Sequence, residues 1–390
     1  MNNYNLNNSY SKFDLEYKHM KIILFANSDW FLYNYNLSLA KFLRGMGHEV
    51  VLLSPSGSYI KFLEQEEFQW HEFNLSRKGM NPFSEIKTIR RLQTIIQDIH
   101  PDIVHNFTLK SVLYGSLAVK KKKQIKTINT ITGLGYLFIN HGIVAKVVRS
   151  FLIPVLRYAL QDTTVIFLNE TDRSYYLQHH IVQPEHAFII NGAGVDIEKF
   201  QPVRAEDRKE KTRNVIFPAR LLKDKGIYEF VEAARITKQQ HPEVVFVLVG
   251  SIDEGNPSSV TSEEIKAWQK EGIIEWWGWQ KDMVKIYHRA FLVCLPSYRE
   301  GLATSLLEAA ACGVPIIATD VPGCREVVRH NETGFLVPAR DAKALAGSII
   351  YLLDHQDLLV GMGLKGRELI INKYSQERIN AETYKLYFLK

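Results

Sequence analysis

The chain has 390 residues, of which 46% are hydrophobic and 23% charged, with a net charge of +6. That length is too great for one ordinary domain and comfortable for two, and the balance is that of a globular chain rather than a disordered or fibrous one. The positive excess is modest and does not interleave with aromatic residues, which sets nucleic acid aside as a partner. The excess is also uneven. Residues 1–190 carry 21 Lys plus Arg against 15 Asp plus Glu, and the remainder carries 27 of each. The three cysteines, Cys294, Cys312 and Cys324, show no metal-ligand spacing. They read as thiols in a reducing compartment.

Residues 1–19 are polar and Asn-rich with no apolar core, so they are no secretory signal and are expected to be disordered. Met20 opens the folded part. From there strand-like and helix-like runs alternate. In the first half the strand runs are KIILFA, EVVLLS, WHEFNL, DIVHNF, KTINTIT, TVIFLN and HAFIIN. The clearest helix is 85–99, with Ile86, Ile89, Leu92, Ile96 and Ile99 on one period. His105, Arg77 and Lys110 fall near strand ends or loops, where each alone is more often structural than functional. Gly133 and Gly135 follow a strand directly, and their amides are suited to cupping an anion or a sugar. The basic run Lys120–Lys123 ends a helix. Residues 141–160 are apolar but carry Lys146, Arg149, Arg157 and Pro154, too many interruptions for a membrane span. They suit a buried helix or one lying at a membrane interface.

Residues 191–213 begin Gly-rich and end charged and apolar-poor, which is a linker composition. The second half then repeats the alternation through NVIFPA, VVFVLVG, IIEWWG, FLVCLP, PIIATD and GFLVP, followed by helices near 342–353 and 357–372 and a last helical run from Gln376 to Leu389. The expected architecture is α/β: a domain at 20–190, a linker at 191–213, a second domain at 214–375, and a C-terminal helix at 376–390 packing back on the first. Each domain holds a parallel sheet, and the two face each other across a cleft.

Chemistry-bearing residues gather in the second half at the carboxyl ends of strands, where open parallel sheets bind ligands. Arg220 ends one strand, and Lys225 and Gly226 follow. Two cations there are suited to clamp a diphosphate. The turns after VVFVLVG, at Gly250, and after IIEWWG, at Gly278, fall on the same edge. The stretch SYREGLATSLLEAAACGVPIIATD reads as loop, short helix and strand. Its helix is expected over Ala303–Cys312, stopped by Gly313 and Pro315. The amides of Gly301, Leu302 and Ala303 open that helix. Glu300 lies in the loop, and Glu308 sits among small residues with Thr304 and Cys312 on its face. Neither a Walker A pattern nor a DxD pair occurs. A bound diphosphate would therefore be offset by protein cations with no metal or other cofactor.

The order ARLLKDKGIYEFVEA, FVLVG, WWGW, PSYREGLATSLLEAAACGVPIIATDVPGCREVV and TGFLVP resembles the retaining GT-B glycosyltransferases of family 4. Glu300 and Glu308 have the spacing of that family's E-x7-E element. FNLSRKGMNPFSEIK, PDIVHNFTLKSVLYG and TITGLGYLF resemble a bacterial subgroup acting on polyprenyl-diphosphate-linked sugars. The resemblance implies two Rossmann-like domains in a GT-B arrangement. It implies that Arg220 and Lys225 hold the donor diphosphate, that Glu300 contacts the donor sugar, and that Glu308 accepts from the ribose hydroxyls. Gly301 and Leu302 would offer amides to the phosphate, Gly250 and Gly278 would pack near the nucleotide, and Gly133, Gly135, His105 and Arg77 would lie on the acceptor side. The partners implied are a nucleotide sugar, UDP-linked, and a polyprenyl-diphosphate-linked saccharide; separately, Lys120–Lys123 and residues 143–160 lead to the expectation of an anionic membrane surface, on the inner face of the cell membrane. Two departures stand out. NSDWFLYN replaces a Gly-Gly pair found in many relatives, and Thr132 stands where many carry His. A nucleotide-sugar epimerase on the same fold is the alternative.

Overall fold

The computed structural model describes residues 19–75, 82–133, 143–203 and 213–389. Arg77, Gly135, nearly all of the expected disordered lead, and 204–212 of the linker lie outside the described residues.

Two wholly parallel sheets organise the chain. The first comprises β1 (Lys21–Phe25), β2 (Glu49–Ser54), β3 (Gln69–Glu72), β4 (Ile103–Phe107), β5 (Lys126–Ile131), β6 (Thr164–Phe167) and β7 (Ala187–Ile189), in the order β3-β2-β1-β4-β5-β6-β7. The second comprises β8 (Asn214–Pro218), β9 (Val245–Val249), β10 (Glu275–Gly278), β11 (Ala290–Leu295), β12 (Ile316–Thr319) and β13 (Gly334–Val337), in the order β10-β9-β8-β11-β12-β13. Central strands such as β4 and β8 are buried along their whole length because helices cover both faces, which is why they read as continuous apolar runs. In each sheet the strand order reverses once, between β1 and β4 and between β8 and β11. A crevice opens at the carboxyl ends of the strands at such a reversal.

Local sequence sets the helices that shape this edge. Helix Thr304–Ala311 is stopped by Gly313, whose φ of +68° suits only a residue without a Cβ. Helix Pro82–Ile99 starts three residues before its apolar period becomes legible. After β1 the chain does not form a plain helix: Asp29–Phe31 leads into a π turn at Leu32–Asn36 and then helix Leu37–Gly45. The extra residue per turn is typical of functional sites.

Two crossings join the domains. The Val195 N–H donates to the Tyr374 carbonyl at 2.8 Å, and the Gln376 N–H donates to the Val195 carbonyl at 3.0 Å. Gly194, at φ +70°, lets the strands meet: a Cβ there would lie 2.8 Å from the Gln376 Cα. Helix Gln376–Leu386 then returns to the first domain and ends three residues short of the helical run expected from sequence. Asn380 donates to the Ser38 hydroxyl at 2.8 Å, and the Tyr384 hydroxyl meets His48 Nε2 at 2.8 Å while its ring packs edge-on against Phe42. Tyr384 is 1% exposed. Replacing it with Ala is expected to destabilise the first domain by about 3–5 kcal/mol, the usual cost of deleting a buried aromatic ring, read by urea unfolding.

Candidate active site

The two sheet edges enclose a cleft of about 1150 Å³, room for a nucleotide sugar. Its second-domain wall is built from the loops after β8, β9 and β11. Arg220 and Lys225 come from the first of these, Gly250 and Asp253 from the second, and Glu300, Gly301 and Leu302 from the third. Glu308 lines the same cleft from helix Thr304–Ala311. The residues singled out in the second half thus converge, with one adjustment. Gly278 stands one layer back, its carbonyl accepting the Gly250 N–H at 2.9 Å, and Trp279 and Gln280 form the surface there. Gly250 has no room for a side chain, because a Cβ would collide with the Ala219 carbonyl.

The charges are not idle. Lys225 Nζ lies 2.6 Å from Glu300 Oε1 in a pair whose side chains are 18% and 11% exposed. The Ser297 hydroxyl donates to the same oxygen at 2.7 Å. Glu300 is therefore oriented from two sides. Arg220 instead rests on Asp253 at 2.9 Å, in a pair open to solvent, and Asn256 also donates to that carboxylate. Glu308 accepts from the Tyr287 hydroxyl at 2.9 Å. Burial pushes the Glu308 carboxyl up to about 7, against a smaller lowering by the Tyr287 hydrogen bond and by Lys199. This is a carboxyl kept short of water, with the Tyr287 hydroxyl as its hydrogen-bond partner. Gly301, Leu302 and Ala303 precede a helix whose first N–H groups have no intrahelical acceptor, and that end favours an anion.

The first domain supplies the facing wall, and here sequence reasoning missed the main group. Tyr35, carried by the π turn, lines the cleft together with Thr304. Burial and then the Glu308 charge raise its phenol. The aromatic-rich stretch at residues 30–35 was the available signal. Thr108, also on this wall, holds φ +72° and ψ 150°, a conformation costly for a β-branched residue and common where function imposes it. His105 borders the cleft but is 1% exposed. Its Nδ1 meets the Tyr387 hydroxyl at 2.7 Å and its Nε2 the Thr130 hydroxyl at 2.8 Å. Burial lowers it to about 3. His105 thus lines the cleft as a buried, neutral ring with both nitrogens committed to hydroxyl partners. Gly133 lies beside Gly301, across the cleft. Arg77 and Gly135 lie outside the described residues.

Comparison with known proteins bears on the family and the fold. Residues 199–369 match the family described as Glycosyl transferases group 1, and residues 21–170 match Glycosyl transferase 4-like. The chain is 27% identical to the Campylobacter jejuni N,N'-diacetylbacillosaminyl-diphospho-undecaprenol alpha-1,3-N-acetylgalactosaminyltransferase, over 94% of this chain and 98% of the relative. It is 25% identical to the Escherichia coli UDP-Gal:alpha-D-GlcNAc-diphosphoundecaprenol alpha-1,3-galactosyltransferase, over 76% and 78%. The structure of Anabaena HepE in complex with UDP-glucose superposes with a TM-score of 0.78 at 19% identity, covering 95% of this chain and all of the other. That likeness establishes the GT-B fold.

The Glu308 environment has a consequence for stability. Its folded value, about 7, lies above the ordinary 4.5. The penalty is absent below the ordinary value and complete once pH passes the folded one, so stability falls as pH rises through that window. Glu308→Gln is accordingly expected to raise the melting temperature by roughly 2–4 °C at pH 8 and to leave it near wild type at pH 5. Calorimetry at the two pH values checks this; an equal shift at both would refute the assignment.

Proposed function

Because the chain belongs to the glycosyltransferases, 4-like in its first half and group 1 in its second, we propose that it moves a hexose or N-acetylhexosamine from a UDP-sugar to a polyprenyl-diphosphate-linked saccharide, with retention at the anomeric carbon. The observation that carries the donor half is the convergence of Arg220, Lys225, Glu300 and Glu308 on one cleft edge. Glu308 accepts from the ribose hydroxyls. Arg220 exchanges Asp253 for a phosphate oxygen. Lys225 lies beside the β-phosphate while still orienting Glu300 towards the sugar. The Gly301 and Leu302 amides face the charge that grows on the leaving phosphate, where fixed dipoles act most strongly. Protein cations offset the diphosphate, so catalysis needs no metal.

Retention suits this wall. With His105 neutral and saturated and Thr132 in place of a histidine, no first-domain imidazole is available as a base at these positions. The leaving phosphate oxygen, on the same face as the incoming hydroxyl, takes the proton instead. The acceptor reading draws on the two bacterial relatives, whose substrates are undecaprenyl-diphosphate-linked sugars by name.

The lipid tail of such an acceptor calls for a membrane contact, proposed here at the inner face of the cell membrane. Among the described residues no helix is long and apolar enough to cross a membrane. Helix Ile143–Leu160 nevertheless exposes Phe151 at 73%, Val155 at 43% and Tyr158 at 53%. Their spacing puts them on one face. Lys120 lies over the Tyr158 ring, and Lys121 and Lys123 extend from the same corner. An apolar face rimmed by cations is the pattern of interfacial binding.

The test of the activity is a screen of UDP-hexoses and UDP-N-acetylhexosamines against a polyprenyl-diphosphate-saccharide pool, run with and without chelator. Arg220→Ala and Lys225→Ala are each expected to lower kcat by roughly 10²-fold, and chelation to leave it unchanged. An epimerised nucleotide sugar formed without acceptor would overturn the transfer reading. For the membrane contact, the protein is expected to float with anionic liposomes at low salt, and Phe151→Ser with Val155→Ser to weaken that flotation; sedimentation of the wild type would count against it.

A further inference from the structure

The donor loop of the second domain is held from the first. Arg299, which precedes Glu300, places a guanidinium nitrogen 2.8 Å from Asp172 Oδ1, and the Asp172 side chain is 3% exposed. The Gly301 carbonyl accepts from Asn169 Nδ2 at 2.8 Å. Leu302 seats against Gly192, where a Cβ would lie 2.6 Å from its Cδ2. Gly301 itself is pressed on the Thr132 carbonyl, 2.6 Å from where its Cβ would be. Three of the four residues from Arg299 to Leu302 are thus gripped by residues following β5, β6 and β7. Glu300 alone points the other way, to Lys225 and Ser297.

The first-domain side of this grip is preformed. Asn169 caps helix Glu170–Gln178, its Oδ1 accepting the Asp172 N–H at 2.8 Å, and its Nδ2 also reaches Asp172 Oδ2 at 3.3 Å. Asp172 sits in the first turn of that helix, where the helix dipole favours a carboxylate. The helix start and the Asn169 amide thus orient this carboxylate from within the first domain, towards Arg299. Burial of that carboxylate makes the pair stronger than an exposed one and makes the loss of Arg299 costly.

We propose that Asp172, with Asn169, is a positioning residue: from across the cleft it fixes the Arg299–Leu302 loop in the form that presents the Glu300 carboxylate and the Gly301 and Leu302 amides to the donor. The inference rests on the reading above that this loop takes the sugar and phosphate. Nucleotide binding through Glu308 and Arg220 does not depend on the grip. Arrangement of the sugar-phosphate bond for transfer does. Closure of the cleft and completion of the site are then one event, and a donor bound to the open form is protected from premature loss of its sugar.

The experiment uses Asp172→Asn, which keeps shape and leaves the Asn169 cap intact, beside the conservative Arg299→Lys. Expected for Asp172→Asn are a kcat about 10- to 100-fold down, as for a small misplacement of reacting groups, a UDP dissociation constant, read by calorimetry, raised far less than kcat falls, since Glu308 and Arg220 keep their places and only the loop amides shift, and a larger radius of gyration by X-ray scattering of the free protein. Arg299→Lys is expected to recover most of the turnover. Wild-type kcat in Asp172→Asn overturns the proposal, as does a parallel fall in UDP affinity and melting temperature, which would mark a merely structural role. Scattering needs no substrate. If the wild type transfers no sugar, the functional reading fails by itself, and an unchanged radius of gyration in Asp172→Asn would still overturn the grip.

Discussion

The site depends on one nearly buried ion pair, Lys225 with Glu300. It ties the loop after β8 to the loop after β11, the two strands between which the second sheet reverses its order. Removing either partner leaves a charge without its counterion in a place with little water, which is far costlier than never having had the pair. The pair also explains why Gly226 must be glycine. It takes φ +77°, and a Cβ there would collide with the Pro296 carbonyl, so the turn carrying Lys225 closes onto the strand that leads to Glu300.

Around that pair the chain uses the same construction twice. Both sheets are parallel, both reverse once, and both present their carboxyl edges to the same cleft. The crossings at Val195 and Ser375 lie side by side as a short bridge, a geometry suited to hinge motion because few residues must change backbone angles. The C-terminal helix anchors the return crossing in the first domain through Tyr384 and Tyr387. The same contact consumes His105, so a residue at the cleft floor that resembles a catalytic group is spent on holding the fold together.

What the sequence made legible was local. The β11 loop, its short helix and the stop at Gly313 follow from composition over two dozen residues, and so does the convergence of Arg220, Lys225, Glu300 and Glu308, because parallel strands fix where their carboxyl ends lie. What it hid was long-range. Asn169 and Asp172 are unremarked cap residues of helix Glu170–Gln178 until Arg299, well over a hundred positions later, is folded against them. Tyr35 depends on a π turn, which no apolar period announces. The partners of His105 lie 25 and 282 positions away, so its saturation had no sequence signal at all. The rest of Arg220 on Asp253 needed the turn after β9 to be placed.

The two cations of the site are held very differently, and that difference orders their use. Arg220 and Asp253 meet in the open, with side chains 60% and 35% exposed. Such a pair contributes little in water and is screened by salt, so in the proposed reaction an arriving diphosphate would displace Asp253 at small cost and gain a guanidinium fork. Lys225 and Glu300 are shielded, and Ser297 shares the carboxylate; separating them would strand two charges. A ligand therefore does better to add to this pair than to break it, meeting the ammonium with phosphate oxygen and the free Glu300 oxygen with sugar hydroxyls. On the proposed reading the exposed cation recruits, and the shielded pair sets the geometry in which the recruited group sits.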